Sequence, residues 1–334
     1  MNYQDIANLR DNVIAGHEVT AEEGLALLQT SNDDIFDLMA AANRIRMHFK
    51  GDKVSLCSII NAKSGLCSED CAFCAQSVHA TTNSPEYSLV SKEKVLESAE
   101  EAIKAGAHKY GVVTSGKGLN DKDINQLEEM LDFLKSNSDV HRCASLGILK
   151  KEELQSLKDH GLLEYHHNLE TAESFYPEIC STHKYSDNLQ TIRDAKAVGL
   201  RLCCGGILGM GESQEQQIEF ALAMRELDID SIPLNFLNPI PGTKLENMER
   251  LKPLEILRII STFRFIHPKR DIKVAGGREV NLRQLQPMLF SAGANSMMVG
   301  NYLTTRGRKT EEDLEMMRDL EVNFLEPNTE SCGC

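Results

Sequence analysis

The sequence predicts an α/β protein: a closed (β/α)8 barrel of the TIM type, preceded by helices and followed by a flexible cysteine-containing tail. Three observations support this fold. Short apolar runs alternate with helical segments, eight such units fit into about 250 residues, and nothing in the chain is typical of a linker or a repeat. A partly open six-stranded barrel is the alternative, because the last two strands have the weakest patterns.

The elements follow in order along the chain. Residues 3–50 predict helices, with apolar residues spaced for one buried face from Ile6 onward. The candidate strands are 54–60, 109–115, 141–147, 163–169, 200–208, 231–237, 272–277 and 295–300. The connecting segment 91–106 is typical of a helix, because Ser91 is a suitable N-cap and Gly106 a suitable stop. We expect an N-terminal helical extension (1–50), a barrel (51–310) and a C-terminal helix and tail (311–334).

Composition limits the possible functions. The chain has 36 basic and 50 acidic residues, and its formal charge of -14 would repel nucleic acid and anionic lipid surfaces. No apolar run is long enough to span a membrane, and the first residues lack a secretory pattern, so we expect a cytoplasmic protein. In that reducing compartment, clustered members of the ten cysteines are expected to bind metal or act in redox chemistry.

The segment SGLCSEDCAFCAQ (64–76) contains three cysteines, Cys67, Cys71 and Cys74, separated by three and then two residues. A structural zinc site needs four ligands, and no second pair of cysteines stands at a suitable distance. An iron–sulfur cube with three protein thiolates leaves one iron open to a small molecule. The spacing therefore favours a catalytic 4Fe-4S cluster.

Small and polar residues follow several of the predicted strands, where the active site of a barrel lies. TSGKG (114–118) and GGILGMGE (205–212) are turns rich in glycine, which allow the backbone to approach a ligand. HHNLE (166–170) places Asn168 and Glu170 two residues apart, so that both face the same side of a strand.

The cysteine loop, with Phe73 before its third cysteine, resembles that of the radical S-adenosylmethionine (SAM) superfamily. The resemblance implies that SAM binds the open iron and yields a 5'-deoxyadenosyl radical, so no side chain is expected to act as an acid or base. The implied SAM-binding residues are Ser115, Gly116, Asn168, Glu170, Gly205, Ile207, Gly209 and Glu212.

A closer resemblance, over about residues 50–310, is to the biotin synthase family. It is carried by the cysteine loop and by YHHNLET, GGILGMGE, DSIPLNFLNPIPGTKLE and AGGREVNLRQLQ. It implies sulfur insertion into dethiobiotin, with Asn168 and Asn235 near the ureido ring and the sulfur supplied by an auxiliary iron–sulfur cluster. An electron donor such as flavodoxin or ferredoxin and a homodimer are also implied.

The sequence departs from this family at the auxiliary cluster. The family's three cysteines and one arginine correspond to Gly111, Cys143, Cys203 and Lys273, so two of the four usual ligands are missing. Lysine does not replace the guanidinium group of arginine. We hypothesise that two cysteines of the tail, Cys332 and Cys334, join Cys143 and Cys203 to hold a different auxiliary cluster, of the 2Fe-2S or 4Fe type.

Other residues have two possible roles. His183 and Arg278 could contact SAM or substrate, or could be structural; for Arg278 the pattern slightly favours an acidic partner. Cys204 is expected in the core, on the face opposite Cys203, and Cys57 and Cys180 are expected to be packing or peripheral thiols. The alternative functions are a related radical SAM enzyme, such as an amino-acid mutase or a metallocluster maturase, and a non-catalytic zinc- or iron-binding scaffold.

Overall fold

The structure is a computed structural model that describes residues 1–325 of the chain. Within this range the strands are β1 (Lys53–Lys63), β2 (Lys109–Thr114), β3 (His141–Ser145), β4 (Glu164–His166), β5 (Arg201–Cys203), β6 (Gly206–Leu208), β7 (Ser231–Phe236), β8 (Asp271–Val274), β9 (Ser296–Met298) and β10 (Asn323–Phe324). The α-helices are α1 (Tyr3–Ile14), α2 (Ala21–Leu28), α3 (Ile35–Lys50), α4 (Lys92–Lys104), α5 (Asp121–Asn137), α6 (Lys151–Asp159), α7 (Tyr176–Ile179), α8 (Tyr185–Ala197), α9 (Gln214–Glu226), α10 (Pro253–Ile266), α11 (Arg278–Leu282), α12 (Met288–Ser291) and α13 (Thr310–Asp319).

The strands close into a barrel of parallel pairs. The order around it is β1, β2, β3, β4, β5, β7, β8 and β9, and β9 pairs with β1 so that Cys57 lies opposite Met298. β6 continues β5 along β7, while β10 pairs with the first residues of β1. This closure confirms the predicted (β/α)8 barrel and excludes the six-stranded alternative, because β8 and β9 are both part of the sheet.

The predicted strand 200–208 is interrupted in the structure, where it forms β5 and β6. The break lies at Gly205, whose backbone is so close to β7 that a Cβ atom would lie 1.9 Å from the carbonyl oxygen of Pro233. The predicted strand 163–169 ends at His166, because Leu169 and Glu170 both turn to donate to the carbonyl of Gly205. The loop that contains Asn168 and Glu170 therefore begins after His166, earlier than the apolar pattern indicated.

The helices cover the outside of the barrel, as α4 illustrates. Its predicted N-cap, Ser91, accepts a hydrogen bond from the backbone N–H of Lys94. Val95 and Ala99 are fully buried against the barrel, and Gly106 ends the turn with a φ of +81°, a conformation that favours glycine.

The predicted N-terminal helices are α1, α2 and α3. Ile6 of α1 and Leu38 of α3 are completely buried, and α3 packs on α10 at one end of the barrel's helical layer. None of the helices in residues 1–325 is long and apolar enough to cross a membrane. The expectations for Cys332 and Cys334 concern residues outside the described range.

Candidate active site

A cavity of about 450 Å3 opens at the C-terminal ends of the strands. The cysteine loop covers one side, and the interior of the barrel forms its floor. Of the predicted site residues, those on its lining are Cys67, Cys71, Cys74, Ser115, Gly116, Asn168, Glu170, His183, Cys203, Ile207, Asn235 and Lys273. A cavity of this size at this end of a barrel is the usual place for a small-molecule site.

The cysteine loop is held by backbone and side-chain hydrogen bonds around Gln76. The Oε1 atom of Gln76 accepts from the hydroxyl of Ser64 at 2.9 Å and from the N–H of Gly65 at 3.2 Å, and its carbonyl accepts from the N–H of Cys67. Ser115, at the end of β2, donates its hydroxyl to the carbonyl of Gly65 at 2.7 Å. These bonds turn the loop so that its three thiols face the same cavity.

The conformation and surroundings of residue 65 favour glycine. It has a φ of +77°, and a Cβ atom would lie 2.6 Å from a side-chain carbon of Glu86. The turn before the first thiol is therefore closed to larger residues.

Two of the loop thiols, Cys71 and Cys74, lie in surroundings that oppose their ionisation. A hydrogen bond with Cys180, followed by burial, raises the pKa of Cys71. Burial raises the pKa of Cys74 to about 11, and Cys67 and the carboxylate of Glu170 add to this effect. Three sulfur donors beside a carboxylate, of which Cys67 is buried and the other two partly buried, fit a positively charged iron centre, whose binding would stabilise the thiolates.

Cys180 has a position that the sequence did not indicate. Its Sγ lies 3.8 Å from the Sγ of Cys71 and 3.2 Å from the Nδ1 of His183, although it was expected to be a packing or peripheral thiol. His183 in turn contacts the carboxylate of Glu69 at 2.6 Å. Because Cys180 is 109 residues from Cys71, no local spacing could have revealed the contact.

Asn168 and Glu170 lie together at the mouth of the barrel. The side-chain oxygen of Asn168 accepts from the N–H of Gly205 at 3.2 Å, and its amide donates to Glu170 at 3.4 Å. Burial raises the pKa of Glu170 to about 7, and the bond from Asn168 only partly opposes this. The residue also has a φ of +69°, which is unusual for a residue with a side chain. A buried carboxylate with one weak partner beside a cavity is suited to accept hydrogen bonds from a ligand's hydroxyls.

Three of the predicted SAM-binding residues do not line the cavity: Gly205, Gly209 and Glu212. The carboxylate of Glu212 accepts from the backbone N–H groups of Gly209 and Met210, at 2.7 and 2.8 Å. Glu212 thereby shapes the turn after β6. Of the predicted residues in this segment, only Ile207 lines the cavity.

Asn235, on β7, also lines the cavity, beside the turn at Gly206 that Glu170 contacts from the other strand. Its side-chain oxygen accepts from the N–H of Gly276 at 2.8 Å, and its amide donates to the carbonyl of Gly206 at 3.0 Å. Arg278 lies away from the cavity and is completely buried, with its guanidinium bound to Asp313 at 2.7 Å and to Gln286. Of the two roles predicted for Arg278, the structure therefore shows the ion pair with an acidic residue, Asp313.

The barrel floor contains a second set of sulfur and nitrogen donors. Cys143 of β3 and Cys203 of β5 are both buried, and a ring nitrogen of His166 of β4 lies within 4.8 Å of the Sγ of Cys203. Lys273 of β8 donates to the Sγ of Cys203 at 3.5 Å. Burial opposes ionisation of Cys203, but the charges of His166 and Lys273 outweigh it and lower the pKa of the thiol to about 7.

Sequence reasoning missed His166, although the signal was present. His166 precedes Asn168 and Glu170 by two and four residues, and it therefore falls in the same alternating series as these two predicted ligand-binding residues. Cys57, expected to be a packing or peripheral thiol, also lines the cavity, whereas Cys204 packs in the hydrophobic core outside the barrel, as expected.

The chain matches two protein families. Residues 63–224 match the Radical SAM superfamily, and residues 233–323 match the Biotin and Thiamin Synthesis associated domain. The chain is 49% identical to the biotin synthase of Geotalea uraniireducens, over 95% of this chain and 97% of that one. It is 50% identical to the biotin synthase of Pelobacter propionicus, over 93% and 95% of the two chains.

Solved structures share the fold at lower identity. A methylornithine synthase superposes with a TM-score of 0.84 at 22% identity, over 96% of this chain and 98% of that one. An FeFe-hydrogenase maturase from Carboxydothermus hydrogenoformans gives a TM-score of 0.81 at 15% identity, over 96% and 79%. Because about half of the residues are identical to those of biotin synthases over nearly the whole chain, the family is biotin synthase. This rules out the predicted alternatives, which were an amino-acid mutase, a metallocluster maturase and a non-catalytic scaffold. The chain therefore belongs to the biotin synthase family, whose members are radical SAM enzymes that use a 4Fe-4S cluster and SAM.

Proposed function

We propose that this cavity carries out SAM-dependent radical insertion of sulfur into dethiobiotin, with Cys67, Cys71 and Cys74 as the ligands of the 4Fe-4S cluster. One observation carries this proposal: the three loop thiols, the polar pair Asn168 and Glu170, and the floor thiol Cys203 all line one cavity. A radical generator, a substrate and a sulfur source must be close together for such a reaction, and the cavity brings their candidate binding groups to one place.

When bound, the cluster and SAM supply the radical that removes hydrogen from a saturated carbon of dethiobiotin. The residues of the chain bind and orient. Glu170 is placed to accept hydrogen bonds from the ribose hydroxyls of SAM, with Asn168 holding its carboxylate. Ile207 offers an apolar surface for the adenine ring, and Ser115 and Gly116 lie at the rim beside the loop.

Asn235 is the proposed contact for the ureido ring. Its side-chain amide already forms hydrogen bonds with the backbone of Gly206 and Gly276. These bonds fix the plane of the amide before substrate binds. An amide beside a cyclic urea can both donate and accept a hydrogen bond, which suits recognition of that group. Asn168, which bonds to the adjacent residue Gly205, has the same chemistry and is the second proposed substrate contact.

We propose that a second iron centre lies at the floor, with Cys143 and Cys203 among its ligands, and that it supplies the sulfur. The buried thiols fit iron, and Lys273 offsets the negative charge of Cys203. Participation of Cys332 and Cys334 stays a prediction, as do a flavodoxin or ferredoxin donor, a homodimer and a cytoplasmic location.

The decisive experiment is anaerobic reconstitution with iron and sulfide, followed by reduction with dithionite in the presence of SAM and dethiobiotin. We expect both 5'-deoxyadenosine and biotin, measured by liquid chromatography with mass spectrometry. The Cys204→Ala variant is a matched control, since this thiol lies in the core away from the cavity. Formation of 5'-deoxyadenosine without biotin would contradict sulfur insertion, and formation of neither would contradict radical chemistry.

A further inference from the structure

His166 is a partly buried donor at the centre of the barrel floor. Single ligand atoms of Glu164, His166 and Cys203 all lie within 4.8 Å of one another, and an oxygen of Glu164 also lies within 4.8 Å of the thiol of Cys143. The register explains this grouping, because Cys143 pairs with Glu164 and His166 pairs with Cys203 on adjacent parallel strands. Three strands therefore deliver two sulfurs and one nitrogen to the same place.

Gly111, on β2, lies beside these donors. A Cβ atom there would lie 3.2 Å from the Cγ2 of Ile59 and 3.9 Å from both the Cβ of Cys143 and the Cε1 of His166. Cys143 and His166 are therefore both next to the position where a side chain at residue 111 would begin. Glycine supplies no ligand of its own, so this side of the floor depends on His166 for a donor atom.

The orientation of His166 is that of a metal-binding histidine. Its Nε2 lies 3.1 Å from the Oε1 of Glu164, and the Oε2 of Glu164 accepts from the ammonium group of Lys109 at 2.7 Å. Histidine ligands of metals commonly hold a carboxylate with one ring nitrogen while the other binds the metal, since this arrangement fixes the ring and strengthens the donor. Glu164 is completely buried, so its carboxylate cannot exchange this role with water.

We propose that His166 is an iron ligand of the second centre, together with Cys143 and Cys203. This inference rests on the proposed second iron centre and adds a nitrogen donor to it. Imidazole binds iron well, and histidine replaces cysteine on one iron of some iron–sulfur clusters, where it raises the reduction potential. Lys273 is less suited to this place, because its ammonium group donates to Cys203 and gives up its proton to a metal far less readily than an imidazolium does.

The test uses the full-length holoenzyme labelled with 15N at histidine and reduced anaerobically. Pulsed EPR should show a coupling to histidine nitrogen of the size expected for direct coordination. His166→Ala should lose this coupling and release the iron of the second centre to a chelator about tenfold faster or more. His167→Ala is the matched control, because the neighbouring ring contacts Asn188 and should leave both readouts unchanged.

The C67A/C71A/C74A variant separates failure of this inference from failure of the proposed function. It removes the loop thiols, so the iron that remains belongs to the floor. Retained iron without histidine coupling would overturn His166 as a ligand and leave the second centre in place. Absence of iron in this variant would overturn both. The labelled holoenzyme retains His166, so its result does not depend on the folding of His166→Ala.

Discussion

The cysteine loop and the barrel floor differ in how they affect the ionisation of their thiols. In the loop, burial and nearby negative groups raise the pKa of Cys74 to about 11. At the floor, burial also raises the pKa of Cys143, but His166 and Lys273 overcome burial at Cys203 and lower the pKa of that thiol to about 7. The loop thus depends on iron to stabilise its thiolates, whereas the floor supplies positive charge to one of its two candidate ligands.

We therefore expect single substitutions to affect function more strongly in the cysteine loop than at the barrel floor. The loop ligands come from one short segment, and within residues 1–325 no cation is among the main influences that lower the pKa of Cys71 or Cys74. The floor donors come from separate strands within a network of charges that includes Lys109, Glu164 and Lys273. Removal of one loop ligand should therefore abolish function, whereas single charge changes at the floor should adjust it.

The largest effect is expected for Cys67→Ala. Loss of one of three ligands should remove the 4Fe-4S cluster and lower 5'-deoxyadenosine formation by more than ~100-fold, which exceeds the effect of losing an outer partner of a ligand. Iron quantitation and chromatography of the reaction mixture measure both effects. An intact cluster in Cys67→Ala would show that the loop does not differ from the floor in this way.

The second prediction concerns Glu170→Gln and the binding of SAM. A hydrogen bond to a charged group contributes about 1.5–3 kcal/mol, so its loss should weaken SAM binding by about 10- to 100-fold. Isothermal titration under anaerobic conditions measures this affinity. Glu170→Asp retains a carboxylate and should bind SAM more tightly than Glu170→Gln. Equal affinities of the two variants would argue against a role for the charge.

Glu170→Gln should also change the pH dependence of stability. Burial raises the pKa of Glu170 from 4.5 to about 7, so the folded chain binds a proton here that the unfolded chain releases at lower pH. The free energy of unfolding of the unsubstituted protein without iron should therefore fall as pH rises from about 4.5 to 7. Glu170→Gln should lack this fall and be more stable at pH 8, by up to about 3 kcal/mol. Urea unfolding at pH 5 and pH 8 tests the difference.

A smaller effect is expected for Lys273→Met at the floor. Removal of the ammonium group at 3.5 Å from Cys203 should raise the pKa of this thiol above about 7, by about one unit. The pH dependence of Cys203 alkylation in the iron-free protein, followed by mass spectrometry, reports the change. Lys273→Arg retains the charge and should titrate close to the unsubstituted protein. The same pH profile for the unsubstituted protein, Lys273→Met and Lys273→Arg would show that Lys273 does not influence the pKa of Cys203.

The smallest effect is expected for Cys180→Ala. Once Cys71 binds iron as a thiolate, the thiol of Cys180 at 3.8 Å becomes the donor of their hydrogen bond. A bond of about 1 kcal/mol corresponds to about 40 mV, so its loss should lower the reduction potential of the loop cluster by this amount. Anaerobic redox titration followed by EPR measures the shift, and Cys180→Ser should retain most of the potential. A rise in potential would contradict a hydrogen bond to the ligand.

The sequence by itself determined the features that depend on neighbouring residues. The 3.6-residue and two-residue periods predicted the helices and the eight barrel strands, and the spacing of Cys67, Cys71 and Cys74 predicted an open iron–sulfur cluster, because one loop contains all three ligands. The pairing of Asn168 with Glu170 was also visible, since they stand two residues apart.

The tertiary structure alone decided which distant residues meet. Cys180 beside Cys71, Asp313 beside Arg278, and His166 beside Cys203 all depend on barrel closure and strand register. The same is true of Glu212, whose backbone partners became known only with the shape of its turn. The periodicity of a sequence indicates which face of a helix or strand a side chain occupies. Only the register between neighbouring strands determines which side chains on that face contact one another.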